Sequence, residues 1–208
     1  MNTFIKISLS FLIISSFNFS LLSQCADSSN IYSFIYDGRT YEIIKENKTW
    51  IDAAQCAVER GGILAEINSL DENNAIFNEL ITNANIDPNN TIAPDGGNSS
   101  YVWIGGNDIS SEGTWVWNGN NETSSTHFWS GTFSNGNVVG GLFNNWGNEP
   151  DNWNNQDGLG LAIINWPLGP AGKWNDVDHT NTLYFVVEYG GNVGLENGQL
   201  DNQIKFYP

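Results

Sequence analysis

Helical patterns in this chain are confined to residues 50–82, and the regions on either side have the patterns of strands and loops. Apolar residues recur at helical spacing over 50–60, directly after Thr49, which is a typical N-cap residue. A second helix is predicted over 69–82, where a serine followed three residues later by Glu72 forms a capping-box pattern. The chain thus combines two predicted helices with predicted strands before, between and after them. We therefore predict an α+β fold.

Strand patterns lie on both sides of this helical region. Residues 31–44 alternate apolar and polar side chains around a turn at Asp37-Gly38, which predicts a β-hairpin. Residues 83–100 are predicted to form an irregular loop, and 118–141 a surface insertion, because both are rich in small and polar residues. Further strands are predicted at 63–67, 101–104, 114–117, 159–164 and 184–189.

The balance of charges limits the partners of this protein. The chain has 23 Asp and Glu residues against 7 Lys and Arg residues, which gives a formal net charge of -16. A field of this sign repels nucleic acid and anionic membrane surfaces, so we exclude both as partners. The length of 208 residues suits one domain with its own core. Frequent Asn and Gly favour a loop-rich fold over a helical bundle.

The two ends of the chain are interpreted as segments outside the folded domain. Residues 1–25 combine one lysine, an apolar run and a small-residue stretch, which is the pattern of a secretory signal peptide. The domain is then 27–190, and 191–208 is interpreted as a tail that begins a sorting or linker segment. The protein is accordingly predicted to be secreted and extracellular, without membrane insertion. The alternative is a lipid anchor on Cys25, for which the preceding glutamine is a poor match.

The chain has only two cysteines, Cys25 and Cys56. If signal cleavage removes Cys25, then Cys56 is a lone buried thiol that behaves as a small apolar side chain on the first helix. The domain would then be held together by its core and by bound metal.

Two short acidic motifs, Glu149-Pro150-Asp151 and Trp174-Asn175-Asp176, carry the main functional signal. Calcium takes about 6–8 oxygen ligands in a flexible geometry, and the two motifs offer carboxylate and amide oxygens from separate segments. Tryptophans lie beside both motifs, and an aromatic ring is a suitable surface for a sugar. Taken alone, the first motif could also be only a polar turn in an acidic protein.

The order of these landmarks resembles that of the C-type lectin-like domain family over residues 31–188. The matching residues are Trp50, Ala53 and Cys56, Gly62-Ile63-Leu64-Ala65-Glu66-Ile67, Glu72, Trp103-Ile104-Gly105-Gly106, Glu112-Gly113-Thr114-Trp115-Val116-Trp117, Trp146, the two acidic motifs, and Phe185-Val186-Val187-Glu188. The resemblance implies a C-type lectin-like fold, with two helices flanking small antiparallel sheets and a long irregular loop region that carries the sites.

The resemblance also implies a calcium ion in that loop region, coordinated in part by hydroxyl groups of a bound sugar. In the family, the proline of the first motif is cis. Matched residue by residue, the metal ligands are Glu149, Asp151, Asp157, Asn175 and Asp176. The same residues except Asp157 are expected to bind the sugar, together with Trp153 as a stacking surface. A second metal site at Asp108, Glu112 and Asn152, with Asp157 as a companion, is a further hypothesis.

Three departures from the family pattern affect these expectations. Val187 and His179 stand where the family usually has cysteines, which suggests a disulfide-poor member of bacterial type. Asp151 replaces a more familiar asparagine, which adds a carboxylate for calcium and removes an amide donor for sugar. The identity of the sugar therefore stays open.

The sequence contains no nucleophile with a plausible base, no zinc spacing and no phosphate loop, so we predict that the protein is not an enzyme. The function predicted here is calcium-dependent binding of a glycan or polysaccharide outside the cell. The alternative is a lectin-like scaffold for protein contacts or adhesion, in which calcium is structural or absent.

Overall fold

The computed structural model describes residues 25–190, which form two α-helices, two short 3₁₀ helices (Ser28–Asn30 and Pro88–Asn90) and eleven strands. The helices are α1 (Trp50–Glu59) and α2 (Leu70–Thr82). The strands are β1 (Ile31–Tyr36), β2 (Arg39–Lys48), β3 (Ile63–Leu64), β4 (Ile92–Ala93), β5 (Ser99–Asn107), β6 (Thr114–Trp117), β7 (Thr126–Ser130), β8 (Asn137–Val138), β9 (Gly158–Ala162), β10 (Trp174–Val177) and β11 (Leu183–Tyr189). Within the described range, neither helix has the length and apolar character to cross a membrane.

Both helices begin where the sequence predicts. The Thr49 side chain accepts a hydrogen bond from the Asp52 amide, and the Ser69 side chain accepts one from the Glu72 amide. The Glu72 carboxylate accepts a hydrogen bond from the Asn68 amide, one residue earlier than in a standard capping box. The caps therefore satisfy amides at the start of each helix.

Strand β11 organises the sheet. It pairs with β2 and β3 in antiparallel fashion and with β5 in parallel fashion. Strands β1 and β2 form the predicted hairpin around Asp37-Gly38, with Tyr36 opposite Arg39. Strand β5 also pairs with β9, and β9 pairs with β10. This chain of pairings places β10, which carries the Trp-Asn-Asp motif, beside the centre of the sheet.

The core consists of two apolar clusters on opposite faces of the central strands. Phe185 and Val187 of β11 belong to one cluster, and Val186 between them belongs to the other, as strand alternation requires. The tryptophans of α1, β5 and β6 (Trp50, Trp103, Trp115 and Trp117) are all buried. The Trp50 indole also donates a hydrogen bond of 2.9 Å to the Ile104 carbonyl, so its polar group is satisfied.

The prediction that 118–141 is a surface insertion is wrong in part. This segment contains β7 and β8, and β7 pairs with β6. Phe128 of β7 is fully buried, and its ring stacks on Trp117 with centroids 4.5 Å apart. Ser, Thr and Asn residues surround Phe128 and the neighbouring Trp129, which also packs against the core, so the segment appears polar in sequence. The predicted strand at 63–67 is also shorter, since only Ile63–Leu64 pairs.

Cys56 forms a disulfide with Cys25, whereas a lone thiol was expected only if signal cleavage removes Cys25. Cys25 is therefore joined to the folded domain at helix α1. The remainder of the predicted signal peptide and the predicted tail at 191–208 lie outside the described residues. Val187, which stands where the family usually has a cysteine, belongs to the same apolar cluster as Cys56.

Two phenylalanines of the same segment offer a matched test of this packing. We expect Phe128→Ala to lower the free energy of unfolding by about 3–5 kcal/mol, because it empties a fully buried site. We expect Phe133→Ala, at a ring that is 55% exposed, to change it by less than ~0.5 kcal/mol. Urea unfolding measures both values. Equal effects for the two variants would contradict the placement of β7 in the core.

Candidate metal and sugar site

Strand β10 and the loop before β9 meet at one carboxylate. Asp176 lies on β10, opposite Leu159 of β9, and is fully buried. Its Oδ2 atom accepts hydrogen bonds from the backbone amides of Asp151 at 3.0 Å and Asn152 at 2.7 Å. These contacts bring together two motifs that are separated by 25 residues in the chain.

Three carboxylates converge where the motifs meet. Glu149, Asp151 and Asp176 each offer one oxygen, and these oxygens lie within 4.8 Å of one another. Glu149 and Asp176 are buried, Asp151 is exposed, and the Glu149–Pro150 peptide bond is cis. No other group of three acidic, histidine or cysteine side chains comes this close within residues 25–190.

Several buried oxygens at this point have no hydrogen-bond partner among the described residues. They are Glu149 Oε2, Asn175 Oδ1 and Asp176 Oδ1. A buried polar atom without a partner costs about 1–3 kcal/mol, and more when the group is charged. Glu149 and Asp176 belong to the converging carboxylates, and Asn175 lines the same pocket as Glu149. Three such acceptors suit a hard cation, which would satisfy all three. The residues present therefore fit a calcium ion.

The orientation of the Asn175 amide follows from its neighbour Tyr101. The Tyr101 hydroxyl donates its proton to the Gly96 carbonyl at 2.7 Å. The hydroxyl can therefore only accept from Asn175, whose Nδ2 lies 3.0 Å away. This places Nδ2 on the tyrosine side and leaves Asn175 Oδ1 free for the cluster.

Mutual repulsion and burial perturb the titration of these carboxyls. Burial, followed by the nearby charges of Asp176 and Asp151, raises the pKa of Glu149 to about 9. Burial also raises the pKa of Asp176 to about 7, although the Asn152 amide opposes this by stabilising the charged form. A cation would reverse both effects, since it favours the charged forms.

Asp157 does not join the cluster. Its Oδ2 accepts a hydrogen bond of 2.8 Å from the Asn155 side chain and lies 2.9 Å from His179 Nδ1. The neighbouring Gln156 is buried, and its Oε1 accepts from the Trp153 amide at 3.1 Å. Both residues hold the loop; Gln156 lines the pocket beside the cluster, while Asp157 is not among the three converging carboxylates. A metal role for Asp157 stays a prediction.

The residues of the hypothetical second site are not gathered into a comparable group. Asp108 is buried, and its Oδ2 accepts a hydrogen bond of 2.8 Å from the Gly113 amide. Burial raises its pKa to about 8, with smaller contributions from the charges of Glu112, Asp157 and Asp176. Glu112 is exposed, and the Asn152 side chain accepts a hydrogen bond from the Gln156 amide. The second site therefore stays a hypothesis.

Trp153 lies on the wall of a pocket of about 210 Å³ that opens onto the cluster. Its side chain is 60% exposed, and Glu149, Asp151 and Asn175 line the same pocket. An exposed aromatic ring beside oxygen ligands is the arrangement that the sequence predicts for stacking on a sugar. The structure brings these residues together, while their binding roles stay predictions.

Asp95 supports the site and was missed by the sequence analysis. Its carboxylate accepts hydrogen bonds from the Gln156 side chain at 3.0 Å, the Asp178 amide at 2.7 Å and the Asn181 side chain. Asp95 thus connects the loop before β5 with segments on both sides of the acidic cluster. The only signal in the sequence is a polar turn, Asp95-Gly96-Gly97, which does not reveal these partners.

The family model for the lectin C-type domain matches residues 46–189, which is more than two thirds of the chain. The chain belongs to the C-type lectin domain family. Members of this family generally bind carbohydrate with calcium, and they are generally not enzymes. No curated protein sequence matches the chain at a significant level. The disulfide-poor, bacterial-type detail of the sequence prediction is not confirmed.

Solved structures with this fold include both a C-type lectin and a calcium-independent antifreeze protein. Human lithostathine superposes with a TM-score of 0.53 at 20% identity, over 76% of this chain and 95% of that chain. The C-type lectin CEL-I from Cucumaria echinata gives a TM-score of 0.52 at 20% identity, over 76% and 95%. A calcium-independent type II antifreeze protein gives 0.50 at 16% identity, over 76% and 91%. These similarities show the fold alone.

The raised carboxyl pKa values predict how pH affects the metal-free protein. A folded state that holds protons more tightly than the unfolded state loses stability as pH rises between the two pKa values. We therefore expect the free energy of unfolding in chelator to fall by at least ~1 kcal/mol between pH 5.5 and 8.5. Urea unfolding at the two pH values measures this change.

The variant Glu149→Gln is the control for this pH effect. It removes one of the buried carboxyls with a raised pKa, so its stability should depend less on pH than that of the wild type. Wild-type stability that is constant or rises over this range would contradict the placement of these carboxyls.

Proposed function

We propose that this protein binds carbohydrate through a calcium ion held between the two acidic motifs. The observation that supports this most is the convergence of unpartnered oxygens from Glu149, Asn175 and Asp176. Membership of the C-type lectin domain family supports the same proposal. We also propose that the protein is not an enzyme, as is general in this family.

Four side chains would supply oxygens to the ion: Glu149, Asp151, Asn175 and Asp176. Calcium takes about 6–8 ligands, so at least two positions remain for water or for other oxygens. Two adjacent hydroxyls of a sugar can take these positions in place of water. The exposed ring of Trp153 would then lie against the apolar face of the same sugar.

The hydrogen-bonding character of the site limits how a sugar can bind. The carboxylates of Glu149 and Asp151 are acceptors when calcium is bound. The only amide donor among the four side chains, Asn175 Nδ2, gives one of its two N–H groups to Tyr101. Acceptors therefore outnumber donors at the site, so most hydrogen bonds run from sugar hydroxyls to the carboxylates, which favours a ligand with a free pair of neighbouring hydroxyls.

We further propose that the protein acts outside the cell. The disulfide between Cys25 and Cys56 supports this, because such bonds form and persist in oxidising compartments. A free glycan or a surface polysaccharide would be encountered in the same place.

The variant Glu149→Gln tests the site with a minimal change of shape. It replaces one charged ligand with a neutral amide, so we expect calcium affinity to fall by at least about 10-fold, and calcium-dependent glycan binding with it. Calcium titration by calorimetry and binding to a glycan array, each with and without chelator, measure the two losses. The more drastic Asp176→Ala is less informative, because Asp176 also holds the loop through two amides.

The matched control is Glu122→Gln, which makes the same chemical change at an exposed carboxylate outside the pocket. This variant should bind calcium and glycans like the wild type. Unchanged binding by Glu149→Gln would move the site elsewhere. If the wild-type protein binds neither calcium nor any glycan, the lectin proposal is wrong and the scaffold alternative remains.

A further inference from the structure

Trp166 separates the proposed calcium pocket from a second, larger groove. Its ring lines the pocket of about 210 Å³ on one side and a groove of about 590 Å³ on the other, and Pro167 and Leu168 also line both. Its indole nitrogen lies 3.5 Å from Glu149 Oε1, so the ring is directly beside the acidic cluster. The two cavities are therefore neighbours that share the segment 166–168 as a wall.

Two glycines allow the Trp166 ring to take this position. A Cβ atom at Gly147 would lie 2.6 Å from the ring, and one at Gly169 would lie 2.3 Å from it. Both distances are shorter than any real contact of this kind, so a side chain at either position would displace the ring. The position of the Trp166 ring in the shared wall thus depends on glycine at both 147 and 169.

The chemistry of the groove differs from that of the calcium pocket. No carboxylate lines it, although the chain carries 23 Asp and Glu residues. It contains Lys173, whose ammonium group donates to Asn145 Oδ1 at 2.7 Å and makes no ion pair with any residue in 25–190. It also contains Asn148, which is exposed and whose side chain makes no hydrogen bond within that range. Donors are therefore available in the groove beside apolar walls.

We propose that this groove binds the next unit of an oligosaccharide whose first unit sits at the calcium ion. This proposal rests on the proposed function and adds a second subsite, the groove, for the sugar unit next to the one at the calcium ion. A pocket of about 210 Å³ is smaller than the ~300–1,000 Å³ of usual ligand sites, while the groove beside it falls within that range. The oxygens of the second unit accept hydrogen bonds from Lys173 and Asn148, and its carbon face lies against Leu168 and Pro167.

Chain length is the variable that tests this proposal. The probes are mannose, galactose, glucose and N-acetylglucosamine, each as the monomer and as linear oligomers of two to four units, with calcium present. Calorimetry gives the affinity for each member of the series that binds. We expect the oligomer of the recognised sugar to bind about 10-fold tighter than its monomer, since it gains contacts to a charged donor.

Two groove variants and a control complete the experiment. Lys173→Gln and Asn148→Ala should each remove most of the advantage of the oligomer, while leaving monomer and calcium affinities unchanged. Asn148→Ala breaks no side-chain hydrogen bond in the described range, so it guards against misfolding. Lys45→Gln is the control, because Lys45 also donates a single hydrogen bond to a protein oxygen and lies outside both cavities.

The outcomes separate this proposal from the proposed function. Equal affinity for monomer and oligomer overturns the groove proposal and leaves calcium-dependent sugar binding in place. An oligomer advantage that survives both groove variants also overturns it. Calcium-dependent binding of none of the four series overturns the groove proposal, and the glycan array then decides the proposed function.

Discussion

The hydrogen bonds from the amides of Asp151 and Asn152 to Asp176 Oδ2 determine the geometry of the whole loop region. Asp176 is anchored on β10, which the sheet holds beside β9 and β5. One oxygen of this carboxylate therefore positions the first acidic motif, and the other stays free to face it. Asp176 thus links the sheet to the site, because the loop that carries the first acidic motif is hydrogen-bonded to this residue of β10.

The cost of this arrangement is visible in the metal-free protein. Buried carboxyls at Glu149 and Asp176 have raised pKa values, and three of the four buried side-chain oxygens without partners in the described part of the chain belong to Glu149, Asn175 and Asp176. A core evolved only for stability would contain few such groups, since each opposes folding. Their concentration at one point, beside an exposed tryptophan, is the physical reason to assign binding to this place. Nothing comparable surrounds His127 or the hairpin β1–β2 in the described range.

Much of this organisation could be predicted from local patterns. The caps at Thr49 and Ser69 and the hairpin depend on short stretches with known chemistry, while the pairing of the two acidic motifs was expected from the family resemblance. What escaped prediction depends on contacts distant in sequence. Phe128 lies in a segment dominated by Ser, Thr, Asn and Gly, and Asp95 is one acid among many. The pairing of Cys25 with Cys56 could not be predicted because a signal peptide was expected to include Cys25.

The most direct test of the proposed calcium site is a crystal structure of the protein grown with calcium. We expect one ion in contact with Glu149 Oε2, Asn175 Oδ1 and Asp176 Oδ1, each at about 2.3–2.6 Å, with further positions open toward Trp153. An ion bound elsewhere, or these three oxygens turned toward protein hydrogen-bond donors with no ion between them, would contradict it.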